Sequence, residues 1–184
     1  MQDFAAIGMI EFTSIAVGMD AADRMVKTAD VAPIFFKTIC PGKYVAAISG
    51  GVAAVDASVR AGLEAGASSV ADWFVIPNIQ KEVLAALGGC QPIKEQGALG
   101  VIETFSVASA ILAADAAVKA ADVAVMDVRT ALGLGGKGYV LLMGDVAAVQ
   151  ASVAAGSAHA AEAGLLVANT VIPRPADAFF AQVL

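Results

Sequence analysis

The residue best suited to chemistry in this sequence is Cys40, one of only two cysteines in the chain. It lies in the stretch TICPGKY, between an apolar run and a Pro-Gly pair. A lone cysteine usually behaves as a small buried hydrophobic residue, whereas a tight connection usually lies at the surface. In a reducing compartment an unpaired thiol is more often a metal or redox ligand than half of a structural disulfide. Residue types alone leave packing and chemistry both open for Cys40.

Other residues give weaker signals of chemistry. The stretch GLGGKG (Gly133–Gly138) fits the dinucleotide pattern G-x-G-x-x-G, but it joins two predicted strands instead of opening a helix. His159 lies among alanines on a predicted helix, with Glu162 one turn away, which is typical of a solvated or packed histidine. Cys90 lies in a predicted linker. The sequence has no Ser-His-Asp set, paired carboxylates or histidine-rich metal motif, so we predict that the chain is not an enzyme.

The composition narrows the class of protein. The chain is 59% hydrophobic with a mean hydropathy of +0.78, yet no uninterrupted apolar run approaches the roughly 18–20 residues of a membrane span. The opening MQDFAAIG lacks the basic and apolar regions of a secretory signal. A net charge of −6 with 11 Lys and Arg argues against nucleic-acid binding. The surplus of apolar, alanine-rich surface favours an oligomer. Two cysteines and no secretory signal indicate a reducing cytoplasm, and we expect no membrane or nucleic-acid partner.

The chain is one sequence repeated twice. Four segments return in order: AIGMIEFTSIA as ALGVIETFSVA, AADRMVKTADVA as AADAAVKAADVA, GGVAAVDASVRAG as GDVAAVQASVAAG, and FVIPN as TVIPR. The stretch Gly88–Gly97, with its glycines, proline and charges, is the predicted joint. We therefore predict two domains, at residues 1–90 and 95–184.

Each copy is predicted to be an α+β unit of the ferredoxin-like type, with the order β-α-β-β-α-β and a short helix at its end. In the first copy the elements are a strand over Ile7–Phe12, a helix capped by Thr13 or Ser14, strands over Val31–Ile39 and Tyr44–Ile48, a helix over Val52–Gly66, and a strand that leads to Pro77. The TICPGK stretch and its counterpart TALGLGGK are then hairpin turns between the two middle strands. The second turn is longer and has no cysteine.

These repeated blocks resemble the bacterial microcompartment (BMC) shell-protein family. The matching motifs are GMIE and GVIE, VKTADV and VKAADV, GDVAAV, and VIPRP. Two copies over nearly the whole chain resemble the tandem-domain members of that family. The resemblance implies two unpermuted BMC domains that assemble as a trimeric, pseudohexagonal tile. Such tiles form a hexagonal layer with other shell proteins around a cytoplasmic organelle.

The resemblance also implies roles for particular residues. KTICPGKY is most similar to the propanediol-utilisation type of tandem shell protein, in which the equivalent cysteine binds an iron–sulfur cluster at the trimer centre. This implies a central site at Cys40 with Ile39, Pro41 and Gly42 around it. The matching second central loop comprises Gly133, Leu134, Gly135 and Gly136.

Residues at the tile edge are implied in the same way. Lys27 and Lys119 match the lysines at which neighbouring tiles meet, and Arg174 matches the arginine of the IPRP motif. Asn78 stands in the first copy where that arginine is expected. The resemblance therefore implies that tile edges are of two kinds.

One cysteine per chain is enough for a cluster only in an oligomer. A cubane cluster normally takes four thiolates from a spaced run of cysteines, and this chain has no CxxC motif. Three Cys40 thiolates around a threefold axis would hold three irons, with a non-protein ligand on the fourth. We therefore expect one 4Fe–4S cluster per trimer, passing electrons across the shell to enzymes in the lumen or delivering clusters to them. The alternatives are a passive metabolite pore and, from another class, a trimeric ferredoxin-like regulator that binds an effector between subunits.

Overall fold

The computed structural model describes residues 6–92, 97–130 and 133–183. The first copy contains β1 (Ala6–Phe12), α1 (Ile15–Thr28), β2 (Val31–Ile39), β3 (Lys43–Gly50), α2 (Val52–Gly66), β4 (Val70–Ile76) and α3 (Lys81–Leu87). The second contains β5 (Ala98–Thr104), α4 (Val107–Ala120), β6 (Ala124–Thr130), β7 (Gly138–Gly144), α5 (Val146–Glu162), β8 (Leu166–Ile172) and α6 (Asp177–Val183). The predicted α+β class and element order are confirmed in both copies.

Each copy folds around its own four-stranded antiparallel sheet. The strand orders are β2-β3-β1-β4 and β6-β7-β5-β8, so the two sheets have the same topology. The pairing of β2 with β3 shifts register between Pro33 and Phe35, and that of β6 with β7 shifts between Val125 and Asp127. Ile34 and Met126, the residues skipped at these shifts, are therefore counterparts.

The first long helix of each copy begins at a serine N-cap. The Ser14 hydroxyl accepts a hydrogen bond from the Val17 N–H at 3.4 Å, and the Ser106 hydroxyl accepts one from the Ser109 N–H at 2.9 Å. Each serine satisfies one of the free N–H groups at a helix start. The helical period then places one face of each helix toward its sheet.

Side chains from both layers form the cores. In the first copy Ile10, Phe12, Met25, Ile48 and Val59 are buried between the sheet and α1 and α2. The second copy has a further cluster, in which Met126, Leu141, Met143 and Phe180 pack together. Val101 packs on that cluster and neighbours Gly100, which faces α5, so the cluster covers the other face of the sheet.

By internal contacts the described residues divide into two compact units. Unit 1 comprises residues 6–79 and 133–136, and unit 2 comprises 80–92, 97–130 and 137–183. Helix α3 follows the first copy in sequence, yet it packs on β6 and α4 of unit 2. The units therefore divide between Ile79 and Gln80, ahead of the Gly88–Gly97 joint, while the domain limits 1–90 and 95–184 remain a prediction about the repeat.

No helix in the described ranges is long and apolar enough to cross a membrane. The alanine-rich α4 has 14 residues and carries an ion pair between Lys119 Nζ and Asp115 Oδ2 at 2.5 Å.

Candidate functional site at the Cys40 turn

Cys40 lies at the tip of the hairpin between β2 and β3. The last strand pair joins Ile39 to Lys43, so the loop is Cys40, Pro41 and Gly42. The Gly42 N–H donates to the Ile39 carbonyl at 3.1 Å, and Gly42 has φ +80°, a value that favours glycine. The Cys40–Pro41 peptide is cis. Ile39 is buried and Cys40 is half-buried, so the anchored strand ends hold the thiol at a fixed, partly open position.

The second predicted loop lies against this turn. A Cβ added to Gly136 would lie 2.9 Å from Pro41 Cδ and 3.1 Å from the Cys40 carbonyl oxygen, so only glycine allows the approach. Gly133 and Gly135 have φ +76° and +62°, and a Cβ on either would meet nothing within 4 Å. Leu134 is half-buried. The structure therefore brings Gly136 to Cys40, while Gly133 and Gly135 face open space.

A buried carboxylate fixes the lysine that follows the turn. Lys43 Nζ lies 2.7 Å from Glu11 Oε1, and the Glu11 side chain is fully buried. The counterpart pair joins Lys137 Nζ to Glu103 Oε1 at 2.6 Å, but the Glu103 side chain is 33% exposed. Sequence reasoning missed both pairs. The available signal was a glutamate near the end of the first strand and a lysine after the central turn in each copy.

The other cation near the turn has a different environment. Lys37 Nζ lies 4.6 Å from the centroid of the Phe35 ring, within cation–π range. Burial lowers the pKa of Lys37. Its counterpart in unit 2, Arg129, pairs with Asp127, and that hydrogen bond raises the pKa of Arg129.

The donor set of one chain does not suffice for a cluster. Among the described residues no three His, Cys, Asp or Glu side chains converge as metal ligands. Both thiols are free, with Cys40 half-buried and Cys90 exposed. The Gly42 N–H is used within the turn, and the Lys43 ammonium is paired with Glu11, so neither is free to compensate thiolate charge. Cys40 fits an iron–sulfur cluster only as one of several ligands from different chains.

The predicted edge residues lie at element ends. Lys27, at the end of α1, has a side chain 72% exposed and pairs with Asp23. Lys119, at the end of α4, is 40% exposed and pairs with Asp115. Arg174 is exposed after β8 and lines a shallow depression with Pro173, Pro175 and Asp177, among others.

Comparisons with known proteins agree on one family. The BMC-domain profile matches residues 6–79 and 98–175. The bacterial microcompartment shell protein PduT of Citrobacter freundii is 44% identical over 97% of each chain. The shell protein EutM of Escherichia coli is 47% identical over 42% of this chain and 78% of its own. A solved microcompartments protein from Desulfitobacterium hafniense has 48% identity and a TM-score of 0.85 over 96% of this chain and 98% of its own.

Proposed function

Because the chain belongs to the BMC-domain family and carries that domain twice, we propose that it is a trimeric tile of a microcompartment shell. The single observation that carries the proposal is the same sheet topology in both copies, which lets one chain imitate two neighbours in a ring. The PduT relative supports it, since the similarity extends over nearly the full length of both chains. Tiles of this kind would pack in a hexagonal layer with other shell proteins.

The centre of the proposed trimer holds a 4Fe–4S cluster bound by three Cys40 thiolates. Two features of the turn support this. Cys40 is half-buried at a hairpin tip. Gly136, which lies against the Cys40 carbonyl, has no side chain that would crowd the turn. When bound, such a cluster supplies one-electron transfer. The residues of this chain would fix the position of the thiol through the hydrogen-bonded Ile39–Gly42 turn. The ammonium group of Lys43 stays paired with the Glu11 carboxylate.

The proposed role of the site is to pass electrons across the shell to redox enzymes in the lumen, or to deliver clusters to them. The alternative is a passive pore for small metabolites. The open glycines at positions 42, 133 and 135 favour that alternative, since a Cβ on any of them would meet nothing nearby. The two functions differ in whether the protein binds iron.

Replacing the central thiol tests the cluster. Protein purified without oxygen should be brown and give an EPR signal on a one-electron redox change, with iron and sulfide at one cluster per three chains. Cys40→Ser should lose colour, iron and signal while remaining a trimer, because the thiol is a ligand and not part of the core. Cys90→Ser, which removes the exposed second thiol, is the matched control and should keep all three.

Two results contradict the cluster site: one cluster per chain, or colour that survives Cys40→Ser. Colourless protein that resists cluster reconstitution yet forms hexagonal sheets would favour the passive pore. A monomer at micromolar concentration would contradict the tile itself.

A further inference from the structure

Lys43, the residue that closes the Cys40 turn, directs its ammonium group away from the tip of the hairpin. The Nζ atom lies 2.7 Å from Glu11 Oε1. Glu11 is on β1, opposite Val45, and Val45 is two residues farther from the turn than Lys43. The positive charge therefore lies back along the sheet, although Lys43 is only three residues from Cys40 in the chain.

The second lysine beside the turn is also directed away from the thiol. Lys37 precedes Cys40 by three residues in β2, and its Nζ lies 4.6 Å from the centroid of the Phe35 ring. Phe35 is two residues farther from the turn than Lys37. Both lysines that flank the turn thus bind groups that lie farther from the tip than they do.

The pair of Lys43 and Glu11 is much better shielded from water than its counterpart in unit 2. The Glu11 side chain is fully buried and that of Lys43 is 20% exposed, whereas those of Glu103 and Lys137 are 33% and 42% exposed. A buried carboxylate that loses its cation keeps the cost of its desolvation. Glu11 therefore holds its lysine more firmly than Glu103 does.

The position of the Lys43 ammonium matters for any charge at Cys40. Three residues of extended chain span at most about 10 Å, which is also the distance over which 0.1 M salt screens a charge. A cation within that range stabilises an anionic group at the thiol. Net charge is also one of the factors that set the reduction potential of an iron–sulfur cluster.

We propose that Glu11 is a positioning residue for the Cys40 site: it holds the Lys43 ammonium on the sheet and so keeps a positive charge away from the thiol. This statement about the thiol needs no cluster. Its consequence for the cluster rests on the proposed function. With the pair intact, the cluster has a lower reduction potential than it would have beside a released Lys43, because added positive charge favours the reduced cluster.

The first test measures the charge around the thiol in the full chain without a cluster. In a Cys90→Ser background Cys40 is the one remaining thiol. It is treated with two methanethiosulfonates, one carrying a sulfonate and one a trimethylammonium group, and each forms a mixed disulfide with Cys40 and releases methanesulfinate. The ratio of the anionic to the cationic reaction rate reports the local charge. Exposure and ionisation of the thiol affect both rates alike.

Two variants should shift this ratio in opposite directions. Glu11→Gln should raise it roughly threefold at low ionic strength, since it releases a cation. Lys43→Met should lower it by a similar factor, and this result does not depend on where a released lysine goes, such as to Asp72 opposite Glu11 on β4. The double variant should return to the parent ratio. The control Asp56→Asn, which makes the same charge change in the exposed pair with Arg60 on α2, should leave the ratio unchanged.

A merely structural role for Glu11 gives a different pattern. Loosening of the turn would change both rates together, so an unchanged ratio in Glu11→Gln and Lys43→Met overturns the proposal. A shift of the same sign in both variants overturns it as well. Glu11→Asp, which keeps the carboxylate, should keep the parent ratio.

The second test measures the midpoint potential of the bound cluster by redox titration with EPR detection. The potential should be higher in Glu11→Gln than in the parent, and the double variant should return to the parent value. Protein that binds no cluster but shows the opposite shifts in rate ratio overturns the proposed cluster and keeps the role of Glu11. Protein that binds the cluster with one ratio and one potential in all variants overturns the role of Glu11 and keeps the cluster.

Discussion

At the scale of single residues, the two copies contain equivalent ion pairs that differ in burial. The lysine after each central turn reaches a glutamate on the first strand, but Glu11 is fully buried and Glu103 is not. A buried charge that loses its partner keeps the full cost of its desolvation, whereas a pair open to water contributes little. The same substitution should therefore have unequal effects in the two copies.

Lys43→Met should lower the free energy of unfolding by about 3 kcal/mol, since it removes the cation that lies 2.7 Å from a fully buried carboxylate. Lys137→Met is the matched control and should change it by less than about 1 kcal/mol. Urea denaturation at neutral pH and one protein concentration measures both. Equal losses in the two variants would mean that burial of Glu11 does not decide the strength of its pair.

The sequence predicted the Cys40 turn but not this ion pair. A Pro-Gly dipeptide between two apolar runs has a local signature, which is why the hairpin was found. Glu11 and Lys43 lie 32 residues apart and meet only because β1 and β3 are neighbours in the sheet. Local sequence patterns also do not decide whether Cys40 binds a cluster, because the other proposed ligands are cysteines of other chains.

At the scale of elements, a glycine lets one helix lie close to the sheet in each copy. A Cβ on Gly8 would lie 2.5 Å from Val59 Cγ2, and one on Gly100 would lie 2.7 Å from Val153 Cγ2. Real side chains do not tolerate such distances, so the helix would have to move away from the strand. The helix-to-sheet spacing is thus set by the absence of one methyl group on the central strand.

Gly100→Ala should lower the free energy of unfolding by roughly 1–3 kcal/mol, the usual cost of overpacking a core. Gly51→Ser is the control, because a Cβ there meets nothing within 4 Å and serine is a good helix N-cap. It should have no destabilising effect. Thermal unfolding at matched concentration compares the two, and a loss in Gly51→Ser as large as that in Gly100→Ala would contradict the close-approach argument.

Element bounds were largely predictable, because strand alternation, the serine caps and the Gly-rich connections are local signals. α2 begins and ends where the pattern places it, at Val52 and Gly66. The prediction for the buried face of α1 is less accurate: helical spacing places Ile15, Met19, Ala22, Val26 and Ala29 on one apolar face. Ile15 and Val26 pack on the core as the period requires, but Met19, on the same stripe, is exposed. The period identifies an apolar face and does not say how much of that face is buried.

At the scale of the whole molecule, assembly within a tile and assembly between tiles should be separable. The proposed tile edge uses three cations, Lys27, Lys119 and Arg174, of which Lys27 and Lys119 each pair with an aspartate one turn earlier on the same helix. Exposed cations contribute little to the stability of one chain. Such cations can stabilise a contact when the surface of a neighbouring tile shields them from water.

The double variant Lys27→Ala/Lys119→Ala should therefore remain a trimer by mass but lose hexagonal sheets in negative-stain electron microscopy. The matched control is Arg60→Ala, which removes another exposed cation that pairs with an aspartate one turn away. It should keep both trimer and sheets. Sheets that persist in the double variant would contradict the tile-edge role of the lysines.

The register shift shared by β2 and β6 bears on the history of the chain. Both edge strands skip a residue at the same place, before Phe35 and before Asp127. An irregularity common to both halves is most simply inherited from a single ancestral domain, so it predates the gene duplication. The central turns differ in length and chemistry, so they diverged after the fusion. In a ring of identical single domains, every mutation appears in every domain. In a ring of tandem-domain chains, a mutation in one copy appears only in every second domain, so one central turn can change while the other stays the same.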